Sequence, residues 1–117
     1  MGVLRGRAPR PLGYNTLVAD IEIGYAVGES FDWDPPKSDK NLRERGFGFD
    51  YAARVFAGRV VLVADKRRDY GEERIRAIGQ IDGRTFVVVF TIRGSVLWII
   101  SAWKASGKDL RLWQNRA

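Results

Sequence analysis

Residues 70–103 read YGEERIRAIGQIDGRTFVVVFTIRGSVLWIISAW, and two turn signals divide that stretch into three strands. Asp82-Gly83 is the first. A two-residue hairpin loop that follows the strand twist needs positive φ at both central positions, and Asp-Gly meets that need at little steric cost. Gly94-Ser95 is the second signal. The stretch is therefore expected to form a three-strand antiparallel meander.

If both turns are two-residue loops, the pairing follows from counting. Ile81 faces Arg84, Arg76 faces Val89, Arg74 faces Thr91, Glu72 faces Arg93, and Trp98 faces Thr91. Side chains alternate across a strand. Ile75, Ala77, Ile81, Phe86, Val88, Phe90 and Ile92 then share an apolar face, the expected core. Glu72, Arg74, Arg76, Ile78, Val87, Val89, Thr91 and Arg93 share the other, apolar near the first turn and polar at its far end. That far end gathers three arginines, a glutamate, a threonine and a tryptophan. A slip of one residue would scatter them, so the reading depends on register.

Outward from the meander, residues 60–64 (VVLVA) read as a further strand and residues 65–70 (DKRRDY) as a charged loop. Phe49, Ala52, Ala53 and Phe56 lie at helical spacing, which predicts a helix over 49–56 with Gly58 at its end. Before it, Ser38 is the expected N-cap of a helix reaching Arg45, with Gly46 as its C-terminal glycine. Phe31-Asp32-Trp33-Asp34 alternates like a short edge strand, and Pro35-Pro36 excludes helix before them. Trp33, Phe49 and Phe56 read as core, and Asp34 as a local cap. Downstream, residues 104–114 predict a terminal helix weakened by Gly107, with Leu110 and Trp113 packing back. Residues 1–30 read as an extension, disordered over 1–14 and a strand or helix over 16–27; the domain proper is expected over 31–117. Strands and helices are segregated, so the expected class is α+β: a small antiparallel sheet with two short helices before the meander and one after it.

A chain of 117 residues suits one domain, and 45% hydrophobic residues suffice for a core. A net charge of +6 and a pI near 10.1 favour an anionic partner such as nucleic acid, an acidic protein or a membrane surface. The absence of cysteine and histidine excludes disulfides, thiolate nucleophiles, Cys/His zinc sites and imidazole acid–base catalysis. Lack of cysteine fits a reducing, cytoplasmic setting. No apolar run approaches the roughly 20 residues of a membrane span. Residues 46–49 (GFGF) lack the lysine and preceding strand of a phosphate-binding loop.

Several motifs taken together resemble the BrnT family of type II toxin–antitoxin ribonucleases. They are Phe31 to Pro35, then Lys37, Asn41, Gly46, Phe49, Ala52 and Phe56. Gly71-Glu72 with Arg74 and Gly79 is similar to the family's G-E-x-R segment, and Gly83-Arg84, residues 88–91 and Arg93 to its G-R…V-V-Y-T-x-R strand. Residues 99–102 match its I-I-S-A segment. The chain departs from the pattern at three places. Glu44-Arg45 stands where the family has Lys-His, and Trp98 and Trp103 stand where it has arginines. The resemblance implies a fold similar to RelE-type messenger RNA interferases and metal-independent cleavage of RNA with no cofactor. It also implies neutralisation by a BrnA-like antitoxin, through whose DNA-binding part the complex touches DNA.

Such cleavage needs a base for the ribose 2′-hydroxyl, cations for the phosphate, and an acid for the leaving oxygen. Glu72 is the candidate base; Arg74, Arg76 and Arg93 the candidate phosphate-stabilising cations; and Lys37 a further cation or acid. Trp98 suits stacking on a base, Tyr70 is a weaker acid, and Arg84, Thr91 and Asn41 complete the candidate RNA contacts. Plainer roles compete. Glu72 and Arg93 would also make an ordinary cross-strand ion pair, Arg74 and Arg76 would also cover the sheet with their stems, and Asn41 would also anchor its helix. A non-catalytic module that keeps only the antitoxin-docking surface is the alternative function.

Overall fold

The computed structural model describes residues 18–22, 30–67, 69 and 71–116. The meander forms as expected. Strands β4 (Ile75–Ile81), β5 (Arg84–Arg93) and β6 (Val96–Lys104) pair antiparallel through the two anticipated turns. Asp82 and Gly83 both adopt positive φ, 51° and 81°, and Gly94 sits at 62°. The counted pairs Ile81–Arg84, Arg76–Val89 and Thr91–Trp98 are all present. Beyond them β6 carries a bulge: Phe90 pairs with Ile99, whereas Val89 pairs with Ser101. The extra residue resets the alternation, so that Ile99 and Ala102 both enter the same core.

Three further strands extend the sheet: β1 (Val18–Glu22), β2 (Ser30–Trp33) and β3 (Arg59–Ala64). The order is β1-β3-β4-β5-β6-β2. β1 lies within the stretch 16–27 and pairs antiparallel with β3; residues 1–14 lie outside the described residues. β2 is an edge strand, as its alternation suggests, but it runs parallel to β6, with Asp32 beside Trp98. The sheet is therefore mixed at this edge rather than wholly antiparallel. No hairpin links β2 to β6, so turn geometry does not impose the antiparallel direction there.

One face of the sheet is covered by α1 (Pro35–Arg45), α2 (Phe49–Ala52) and a 3₁₀ turn (Ala53–Ala57). The prolines occupy the first positions of α1, where a missing N–H costs nothing. Ser38 is not the N-cap. Asp34 takes that position, and the buried Ser38 hydroxyl instead accepts the Phe49 N–H at 2.8 Å, tying α1 to the start of α2. Gly46, at φ 91°, closes α1. The helix expected over 49–56 tightens after one turn into the 3₁₀ segment. Of its expected stripe, Phe49, Ala52 and Phe56 pack with Leu62, Ala77, Phe86 and Phe90, while Ala53 is only partly buried and Val55, not counted in the stripe, joins the core. Ile92, expected in this core, is 38% exposed near the end of β5.

The other face carries a smaller cluster of Val61, Val63, Ile78 and Val87 beneath α3 (Gly107–Arg116). β6 continues through Lys104, so the terminal helix starts at Gly107, whose φ of 51° turns the chain into it. Leu112 and Trp113 pack on this cluster, together with Trp103 and Ala105; Leu110 is not among them.

Candidate functional site

α3 packs over the middle strands near the first turn, and among the described residues no helix covers the polar far end of the meander. There Glu72 stands just before β4, and its Oε2 accepts from Arg74 (Nε and Nη2) and from Arg93 Nη2, each at 3.4 Å. The side chains are 30%, 24% and 50% exposed respectively, so solvent screens the charges and the bonds are long. Thr91, nearly buried, donates its hydroxyl to the Glu73 carbonyl at 2.7 Å. That bond fastens the segment carrying Glu72 to β5, which gives Thr91 a positioning role rather than an RNA contact. Opposite it, Trp98 lies under the Arg93 guanidinium, 4.8 Å from the ring centre. Glu72, Arg74, Arg93, Thr91 and Trp98 are thus brought together.

Arg76 shares their face but not their setting. Its Nη1 donates to Asp109 in the first turn of α3, at the closest separation of any described ion pair. Both side chains are largely covered, at 18% and 14% exposed, and Arg76 Nε is buried without a hydrogen-bond partner. Arg76 therefore ties α3 to the sheet, and its guanidinium is held away from any phosphate at the open end.

Asp65, after β3, completes this charged layer. Its side chain is fully buried, and Arg67 clasps it through two bonds of 2.7 and 2.9 Å. Burial alone would raise the Asp65 carboxyl, but the Arg67 hydrogen bonds and charge, with Arg76 behind them, hold it below the usual carboxylate range. The Arg67 guanidinium also stacks 5.4 Å from the centre of Trp103. Asp65 and Arg67 lie in the stretch 65–70, read as a charged loop. A carboxylate directly after an apolar strand was the available signal of its burial.

The structure does not bring the remaining candidates to the cluster. Lys37 lies exposed in the first turn of α1, in the helical layer on the opposite face. Asn41 is buried there; its Nδ2 donates to the Phe47 carbonyl at 2.9 Å and its Oδ1 accepts from Arg45 at 3.2 Å. It holds the α1–α2 link, as its plainer role required. Arg84 opens β5 on the face of Phe86, at the other end of the sheet. Tyr70 lies outside the described residues. Among the described residues, no three carboxylates converge as a metal site would need.

Together, the open end presents a carboxylate between two guanidiniums, beside an indole. This arrangement can accept a proton from a hydroxyl and meet a phosphate with fixed positive charge. Residues 33–109 match the model of a family described as "Ribonuclease toxin, BrnT, of type II toxin-antitoxin system". A comparison with curated proteins finds no match. The match spans most of the chain, which therefore belongs to the BrnT family: it is a toxin of a type II system, of a ribonuclease family whose members work with a protein antitoxin.

Proposed function

We propose that this BrnT-family toxin is a metal-independent endoribonuclease whose site is the open end of the meander. The observation that carries the reading is Glu72 held between Arg74 and Arg93 at 3.4 Å each, on a sheet end that α3 leaves uncovered. In this mechanism the Glu72 carboxylate takes the proton of the ribose 2′-hydroxyl. O2′ attacks phosphorus, the P–O5′ bond breaks, and the departing 5′-oxygen takes a proton from solvent, to which the cluster is open. Arg74 and Arg93 face the negative charge that builds on the phosphate oxygens, where the planar fork suits bidentate contact. Trp98, partly exposed, is the residue to stack on a base, while Thr91 keeps Glu72 in place through the Glu73 carbonyl. The products carry a 2′,3′-cyclic phosphate and a 5′-hydroxyl, and the site of action is RNA in the cytoplasm.

The partner in this reading is a BrnA-like antitoxin. DNA is reached only through it.

Incubating the purified protein with end-labelled single-stranded RNA in EDTA tests the proposal. Fragments ending in 2′,3′-cyclic phosphate support it. Intact RNA from a folded protein, or fragments ending in 3′-hydroxyl, overturns it. Intact RNA would favour the second reading, a docking module without cleavage. One observation leans that way: both guanidiniums of the site are already engaged by Glu72.

A further inference from the structure

The helical face carries a cleft that the proposed RNA site does not use. It measures about 450 Å³ and lies between α1, residues 46–48 and the paired ends of β5 and β6. Arg45, Arg84 and Lys104 line it, against the single lining carboxylate of Asp50. Lys104 pairs with Phe86 in the ladder, and Arg84 lies two residues from Phe86 on the same strand face. Arg45 is fixed by bonds from its Nη1 to the Ala102 carbonyl, at 2.9 Å, and to Asn41. Its other guanidinium donors remain unused by these bonds. The cleft therefore holds two more positive charges than negative ones among its lining residues.

Two observations decide what it would take. Leu42, on the lining, is 54% exposed, the most exposed large apolar side chain among the described residues. An aliphatic partner would cover it. The aromatic surfaces, by contrast, are already occupied. Tyr51 carries the Arg54 guanidinium 5.0 Å from its ring centre and packs against Phe47 and Phe86, which are themselves buried. Phe47 and Phe86 expose almost no ring, and Tyr51 already carries a cation, so little is left of the stacking surface that single-stranded RNA sites ordinarily provide. Carboxylates for the cations and an aliphatic side chain for Leu42 are the features of an acidic peptide.

We propose that this cleft docks an acidic segment of the protein antitoxin, one carrying carboxylates around an aliphatic side chain. The proposal rests on the reading of the chain as a toxin held by a protein antitoxin. The volume suits a few side chains rather than a whole helix, so the contact is an anchor. It is also remote from the chemistry. Arg84 and Arg93 are nine residues apart on β5, which at about 3.4 Å per residue is about 30 Å, and the cleft opens on the opposite face from Glu72. A segment docked here would tether the antitoxin without itself filling the RNA site.

An amide-resolved NMR titration of the full chain tests this, with a short peptide of alternating glutamate and leucine as probe. A 2′-O-methyl oligonucleotide of matched charge, which cannot be cleaved through its 2′-oxygen, is run in parallel. The expected result is that the peptide moves the amides of Leu42, Gly46, Gly48 and Lys104 and leaves those of Arg93 and Gly94 still. Lys104→Glu should weaken peptide binding about tenfold or more, as loss of a complementary charge does, and Leu42→Ser should weaken it severalfold. Both substitutions are at exposed positions, and unchanged spectra away from the cleft would show the fold intact. The proposal is overturned if the peptide moves no cleft amide, if Lys104→Glu leaves its affinity unchanged, or if the oligonucleotide moves the same amides more tightly. Cleavage of unmodified RNA is read separately, so a protein that binds the peptide yet cleaves nothing would fail the RNA reading and pass this one.

Discussion

Glu72→Gln separates catalysis from packing, because the structure sets different magnitudes for the two. The substitution keeps the shape and removes the charge. As an ion-pair partner, Glu72 is 30% exposed and touches its arginines at 3.4 Å. Such pairs are worth about 0–1 kcal/mol each, so two of them cap the expected loss of stability at about 2 kcal/mol. The bond that orders the segment, from Thr91 to the Glu73 carbonyl, involves backbone and survives the change. As a general base, Glu72 would account for a factor of about 10²–10⁴ in the chemical step. Single-turnover cleavage of labelled RNA at saturating protein measures that step, and urea unfolding measures stability. The expected outcome is a rate lowered at least about a hundredfold in a protein of nearly wild-type stability. A rate within a few-fold of wild type would refute the assignment. If the rate held while stability fell by about 2 kcal/mol or more, Glu72 would be a structural ion-pair residue and nothing more.

Asp109→Ala strands the covered Arg76 guanidinium and should lower stability by about 1–3 kcal/mol. That is below the cost of breaking a fully buried pair, because both partners retain some exposure and Asp65 lies behind; calorimetry would read it as a drop of several degrees in Tm. Asp65 has its carboxyl held below the ordinary range when folded. Its contribution is therefore present above the unfolded value of about 3.9 and lost as pH falls through the folded one. Asp65→Asn should flatten the acid limb of the stability curve below about pH 4, and an unaltered acid limb would argue against it. Gly79→Ala places a Cβ 3.1 Å from Val60 Cγ1 and 3.4 Å from Val55 Cβ. It should cost about 1–3 kcal/mol in chemical denaturation by overpacking.

What could be read from the sequence divides along physical lines. Two turn signals placed Arg76 against Val89 and Trp98 against Thr91, because a two-residue loop leaves no freedom of register. Local chemistry also placed Gly46 at the end of α1. Long-range arrangement was harder. The parallel pairing of β2 with β6 has no local cause, and the bulge in β6 turns on one residue of slack. The departures at the site have the same origin. Arg76 read as a phosphate ligand because nothing local says that α3 will fold back and set Asp109 against it. Lys37 and Arg84 read as members because a one-dimensional motif does not record which face of the sheet each reaches. Asn41 was already open to a structural reading, and its two hydrogen bonds take that role.

The two tryptophans standing where the family pattern has arginine bear on whether cationic surface has been lost. Each has an arginine from elsewhere in the chain lying over it: Arg93 over Trp98 and Arg67 over Trp103. A guanidinium over an indole is attracted to the ring face and can still turn its donors to an oxygen, as Arg67 does to Asp65. Positive charge therefore remains beside both positions, supplied by a neighbour rather than by the replaced residue. The two cases differ in what else the arginine does. Arg67 is committed to the buried Asp65, and Trp103 packs under α3, so that pair belongs to the scaffold. Arg93 is half exposed and, among the described residues, its one ion-pair partner is Glu72, so in the proposed reaction its charge would turn toward a phosphate as RNA displaces that long ion pair. Trp98→Ala should then weaken RNA binding by about tenfold or more through lost stacking and leave Arg93 without its platform. Fluorescence anisotropy with a 2′-O-methyl oligonucleotide reads the change, and unaltered affinity would detach Trp98 from the site.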